Sequence, residues 1–286
     1  MNDQKIIVIT DSSASLPEEI KIGLDLRVIP LWLVWENESF QEGVDIQPQG
    51  FYNRLRTSTS LPSSTQPSVQ EFKEFFTQCK QDADAVVCVL ASSKISGTVD
   101  SALAAKELVP DLPIRVVDSL FSAMGQGLIA VAAARAAAAG KTIDQVVKEA
   151  EETREAANLL FVVDTLEFLH KGGRIGGAKR LLGTALNIKP ILHFDGGLIE
   201  SLSQTRTKKK GVAELLGITE ERLGGKRMAE GAVVHVDCLE EGQELLEMVK
   251  DRFDPGNLYL SDVSPVVGTH VGPGGLGLAF YPESGK

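Results

Sequence analysis

Three hydroxyl-rich segments of this chain follow short apolar runs: Thr10-Asp11-Ser12-Ser13, Ser92-Ser93-Lys94-Ile95-Ser96-Gly97-Thr98 and Asp118-Ser119. Serine and threonine hydroxyls, together with free backbone N–H groups at a helix start, make a good cradle for an anion. The same residue types also serve as helix N-caps, and Ser12 and Ser119 taken alone read that way first. Ser96-Gly97 differs, because glycine lets the backbone approach a bound molecule closely.

Other chemistries lack their residues. Gly272-Pro273-Gly274-Gly275-Leu276-Gly277 matches a dinucleotide fingerprint literally, but the chain ends at Lys286, before a helix and a distant acidic residue could complete the unit. Gly140-Lys141-Thr142 looks like the end of a phosphate-binding loop, yet Arg135 stands where its first glycine is required. No serine lies in a GxSxG elbow. His170, His193, His235 and His270 show no paired ligand spacing, and His235, alternating with valines, reads as a strand residue. Cys79, Cys88 and Cys238 are odd in number and far apart, which supports neither a disulfide framework nor a zinc site. No cofactor and no metal is expected.

These segments need a framework to hold them. The chain has 286 residues, enough for two compact domains or one large one, and with 43% hydrophobic and 24% charged residues it can build a packed core. A net charge of −10 disfavours nucleic acid and anionic membrane surfaces as partners. The longest apolar stretch, Leu128 to Ala139, is interrupted by Arg135 and is too short to cross a bilayer. The first residues carry no signal-peptide pattern, so a soluble cytoplasmic protein is expected.

Ile6–Thr10, Val28–Val34, Ala85–Ala91, Ile114–Val117 and Leu159–Val163 read as strands, with others near Ile191, Ala232 and Leu258. A helix opens at Leu16-Pro17-Glu18-Glu19, and loops surround a short helix near Phe51. Ser68 with Glu71 forms a capping box ahead of Val69, Phe72, Phe75, Phe76 and Cys79 at helical spacing. Further helices run through Ala102 and Leu108, Phe121–Ala139, Ile143–Ala157, and near Leu181, Val212 and Leu245, before a Gly-rich tail. Strands alternating with helices predict an α/β fold whose N-terminal sheet is mainly parallel and covered by helices. A second α/β domain with a smaller mixed sheet and helices is expected to follow, giving domains over 1–158 and 159–286.

Several strings in order resemble the DegV family of bacterial fatty-acid-binding proteins. They are Ile9-Thr10-Asp11-Ser12-Ser13 with Leu16-Pro17, Pro62-Ser63-Ser64-Thr65-Gln66-Pro67-Ser68, Ser92 to Thr98, and Val117-Asp118-Ser119. Asp164-Thr165-Leu166-Glu167-Phe168-Leu169 with Lys171-Gly172-Gly173-Arg174-Ile175, Leu186-Asn187-Ile188-Lys189-Pro190-Ile191 and His270-Val271-Gly272-Pro273-Gly274 complete the series. The resemblance implies one long-chain fatty acid in a tunnel between two α/β domains. It implies a carboxylate held by Ser64 or Thr65 and by Ser96-Gly97, with Arg174 and His270 beside it. The usual Thr-Ser order is here Ser64-Thr65, so either hydroxyl could reach the ligand. Phe161, Leu166, Phe168 and Leu186 are candidate wall residues.

The resemblance further implies a carrier, not a catalyst: a separate fatty acid kinase would phosphorylate the bound carboxylate to an acyl phosphate. The basic run Arg206, Lys208, Lys209 and Lys210 could dock that kinase, or simply be a solvated helix start. The alternative is an acyl-ester hydrolase or phosphotransfer-related enzyme, with Ser96, His270 and Asp11 cast as nucleophile, base and orienting acid. A regulatory protein acting by contacts alone is a third possibility.

Overall fold

A computed structural model describes residues 4–183 and 188–283. The first part runs β1 (Ile6–Asp11), β2 (Leu26–Ile29), β3 (Trp32–Trp35), β4 (Glu38–Gln41), α1 (Pro48–Thr57), β5 (Ser63–Thr65), α2 (Val69–Cys79), β6 (Ala85–Leu90), α3 (Thr98–Lys106), β7 (Ile114–Asp118), α4 (Ala123–Ala138) and α5 (Ile143–Ala156). It continues with β8 (Asn158–Val162), α6 (Glu167–Lys171), β9 (Lys189–Asp195), β10 (Leu198–Thr205), α7 (Lys208–Leu223), β11 (Met228–His235), α8 (Leu239–Phe253), β12 (Asn257–Asp262), α9 (Pro265–Val271) and β13 (Leu276–Pro282).

The period of two along each buried strand sorts the side chains into layers. In β1, Ile6 and Val8 face a central core while Ile7 and Ile9 face α2 and α3. Along β8, Leu159 and Phe161 face the same central core, and Leu160 and Val162 face α7 and α8. The result is helices, sheet, helices, sheet, helices. The middle layer contains α4, whose small residues Ala130, Ala133 and Ala134 let both sheets close on it. A helix buried nearly all round must be apolar all round, which explains its composition.

The first sheet has the order β2-β1-β6-β7 and is parallel throughout. The chain leaves β1 to one side and returns to the other at β6, so a topological switch lies between those two strands. The loops after β1 and β6 carry Ser13 and Ser96, on the edge where open α/β sheets bind ligands. The second sheet, β10-β9-β8-β13-β11-β12, is mixed. With six strands against four it is the larger sheet, not the smaller one expected from the sequence. Its extra strands escaped detection because β10 alternates with polar residues and β13 starts within the glycine-rich tail.

The run Val28–Val34 is two strands, broken at Pro30, whose missing N–H interrupts the ladder. β3 then pairs with β4 and β5 in a separate antiparallel sheet. The Leu16–Glu19 helix start yields only a 3-10 turn over Glu18–Lys21, and the helix near Leu181 is likewise a 3-10 segment, Gly176–Leu181. The Ser68 capping box forms, Glu71 N–H donating to Ser68 Oγ at 3.2 Å and Ser68 N–H to Glu71 Oε2 at 2.7 Å. Among the described residues, no helix is long and apolar enough to cross a membrane.

Candidate functional site

Between the two sheets lies a cavity of roughly 920 Å³, its mouth included. Its wall is mostly aliphatic and aromatic, drawn from the second sheet, from α9 and from the loops after β1 and β6: Leu159 and Phe161 on β8, Val234 on β11, Phe194 on β9, Val266 and Val267 on α9, and Ala91 and Ile95 after β6. Arg174 is the one charged side chain among the described wall residues, and Ser64, Thr65, Gln66, Ser96 and His270 are also in the wall.

Each of these groups is positioned by local structure. In β5 the alternation turns Ser64 inward while Ser63 and Thr65 are exposed. Ser64 Oγ lies 2.7 Å from His270 Nε2, and Thr65 Oγ1 donates to the Gln66 carbonyl at 3.1 Å. His270 sits in the last turn of α9, a helix started by Ser264 as N-cap and Pro265. The first turn of α9 is tied down by buried Glu42, whose Oε1 accepts the Val266 N–H at 2.5 Å. The other Glu42 oxygen accepts from Ser12 Oγ, so a carboxylate links the loop after β1 to α9. Burial raises the Glu42 carboxyl to about 7.

Arg174 follows Gly172-Gly173. Gly173 takes φ +72, which ends α6 and turns the chain back toward the cavity. A side chain at Gly172 would overlap His270 Nδ1, so glycine is needed for the two segments to meet. Arg174 Nε donates to the Ile95 carbonyl at 3.1 Å and Nη1 to the Gly172 carbonyl at 2.7 Å, joining the loop after β6 to α6. Arg174 Nη2 takes no partner among the described residues and is available to an acceptor. Burial first, and the nearby Arg174 charge second, lower His270 to about 4, so its imidazole is neutral. Its Nδ1 is buried without a partner. Ser96 Oγ is 2.8 Å from Thr98 Oγ1 at the start of α3.

A mostly apolar pocket whose described wall has one cation, a neutral imidazole and several hydroxyls is suited to a molecule with one acidic head and a long apolar body. The model of the DegV family, described as an uncharacterised protein family, matches residues 5–283. The chain belongs to the DegV family. A DegV domain-containing protein of Listeria monocytogenes is 36% identical over 279 residues, covering 97% of this chain and 99% of that protein. A solved DegV family structure from Thermus thermophilus, described as fatty acid binding, superposes with TM-score 0.90 at 29% identity, over 98% of this chain and all of that one. The Bacillus subtilis DegV structure, described as a fatty acid binding protein, gives TM-score 0.90 at 32% identity, over 98% of this chain and all of that one.

Of the residues picked out in the DegV-like strings, the fold brings Ser64, Thr65, Ser96, Arg174 and His270 to one cavity. Gly97 lies outside the wall; a Cβ there would come within 2.8 Å of Gln66 Nε2, so its close approach serves the packing of two loops. Phe161 is in the wall, whereas Leu166 and Phe168 pack into the surrounding core. Leu186 lies outside the described residues. Ser12 and Ser119 are turn and loop ties: Ser12 Oγ accepts the Leu31 N–H at 2.9 Å, and Ser119 Oγ bonds the backbone of Phe121. His235 is a buried strand residue, as its valine neighbours imply.

The hydrolase casting does not assemble. His270 pairs with Ser64, not Ser96, and among the described residues no acid bonds its Nδ1. Asp11 is instead a buried tie that accepts the Ala91 N–H at 2.8 Å and bonds Ser13, its carboxyl raised by burial. In the basic run, Lys208 is paired with Glu241, while Arg206, Lys209 and Lys210 are exposed. The sequence reading missed Ser13, Ser122 and Phe194 in the wall. Only Ser13 carried a signal, as part of a hydroxyl-rich loop after a strand.

Proposed function

We propose that this chain binds one long-chain fatty acid in the cavity between its sheets and presents the carboxylate to a separate kinase for conversion to an acyl phosphate. The observation that carries this reading is a mostly apolar cavity whose one cation among the described wall residues, Arg174, shares the wall with Ser64, Ser96 and His270. Burying an acyl chain contributes about 0.8 kcal/mol per CH₂, so the tail supplies most of the affinity. The carboxylate accepts hydrogen bonds from Ser64, Ser96 and the free Arg174 Nη2, which offsets its desolvation. Exposed Thr65 stands at the rim, where a second protein can approach. The fatty-acid-binding descriptions of the Thermus and Bacillus relatives support the ligand class.

Two lobes, 1–158 and 159–286, clasp the ligand, and the protein works in the cytoplasm as a carrier whose partner supplies nucleotide and catalysis. The exposed Arg206, Lys209 and Lys210 offer the kinase a basic contact. Organic extraction of the purified protein, read by mass spectrometry, should yield about one equivalent of fatty acid. A clean extract together with no uptake of added palmitate would overturn the lipid reading. Reversing the charges of Lys209 and Lys210 should slow kinase-coupled turnover and weaken its salt dependence, and unchanged turnover would remove this run from the docking surface.

A further inference from the structure

Beyond Ser64, Ser96, Arg174 and His270, the cavity wall holds hydrogen-bonding atoms at the start of α4. α4 starts at Ala123 and runs sixteen residues, with Ser122 as its N-cap. Both residues are in the cavity wall. The Ser122 side chain does not cap the helix, and its hydroxyl has no hydrogen-bond partner among the described residues. Ser122 is only 7% exposed. The buried side-chain nitrogens and oxygens lacking both a partner and open space are His235 Nδ1 and His270 Nδ1. Ser122 Oγ is not among them, so it keeps an open face, and the space Ser122 lines is the cavity.

An α-helix leaves its first backbone N–H groups without intrahelical acceptors. Those of Ala123, Met124 and Gly125 find no side-chain cap, and all three residues are buried. A lone hydroxyl and the uncapped Ala123 amide in a mostly apolar wall are costly unless something bonds them.

We propose that the Ser122 hydroxyl and the α4 N-terminus form a polar subsite for a neutral oxygen, a hydroxyl or keto group, carried along the acyl chain of the ligand. This deepens the fatty-acid reading and rests on it. The subsite offers the Ala123 amide as a donor and one hydroxyl that can both donate and accept, the complement of an alcohol or ketone oxygen. It has no charged side chain of its own: Arg174, the one charged side chain in the described wall, is held by the Ile95 and Gly172 carbonyls. A second carboxylate would therefore lie there unpaired, which is why the match is to a neutral oxygen.

The test compares octadecanoic acid with a positional series of monohydroxyoctadecanoic acids, dissociation constants being measured by calorimetry on the full chain. The readout is the ratio of each isomer's affinity to that of octadecanoic acid. At least one internal isomer should bind as tightly as the parent, while isomers that place the hydroxyl against the aliphatic wall fall about tenfold or more. In Ser122→Ala the favoured isomer's ratio should drop about tenfold, and Ser122→Thr, which keeps the hydroxyl, should retain it. Uniform rejection of every isomer by the wild-type protein, or an unchanged ratio in Ser122→Ala, would overturn the proposal. Failure of octadecanoic acid itself to bind would instead remove the lipid reading on which it rests.

Discussion

His270 enters the cavity as a neutral imidazole because burial and the Arg174 charge both oppose protonation. An arriving carboxylate reverses that balance, since an opposite charge beside the ring favours the imidazolium. Binding of the fatty acid should therefore take up a proton at His270. Calorimetry in buffers of different ionisation enthalpy should show this uptake near neutral pH and its loss in His270→Gln; equal uptake in both proteins would exclude His270 as the acceptor. The same group shapes stability without ligand. Its folded value of about 4 lies below the ordinary 6.5, so its contribution is present above pH 6.5 and is lost as pH falls through 4.

At the scale of elements, β5 and α9 meet to pair Ser64 with His270. The strand alternation faces Ser64 inward and leaves Thr65 exposed, so the two hydroxyls are unequal. Ser64→Ala should weaken fatty-acid binding by about 1–3 kcal/mol. Thr65→Ala should cost clearly less, and equal losses would mean that β5 presents both hydroxyls to the ligand. Glu42 fixes the other end of α9. Its carboxyl is raised from 4.5 to about 7, so its stabilisation is present below pH 4.5 and is lost as pH rises through 7. Its slope is opposite to that of His270. Urea unfolding between pH 4.5 and 7 should show wild-type stability falling relative to Glu42→Gln as pH rises, and parallel curves would show that Glu42 does not titrate in this window.

Across the whole molecule, the middle layer joins what the two sheets would otherwise do separately. Ala130 is fully buried in α4 within the core shared by both sheets. Ala130→Leu forces them apart and should cost about 1–3 kcal/mol. Because the core is shared, calorimetric unfolding should remain one transition, and bound fatty acid should raise its midpoint. Two separated transitions would mean that the lobes unfold independently.

The sequence alone determined the features governed by near neighbours. Short continuous apolar runs marked β1, β6 and β8, Ser68 with Glu71 marked the start of α2, and the ordered strings marked the family. Mixed and glycine-rich strands such as β10 and β13 lacked that local signal, and the polar segment around β4 and β5 did not reveal a third sheet. Only the tertiary structure decided that Ser64 meets His270, 206 residues away, and that Arg174 reaches the Ile95 carbonyl. It also decided that Ser122 opens onto the cavity instead of capping α4. Side-chain periodicity is set within a few residues, whereas a cavity exists only where distant faces fail to close on each other, and no local pattern encodes that gap.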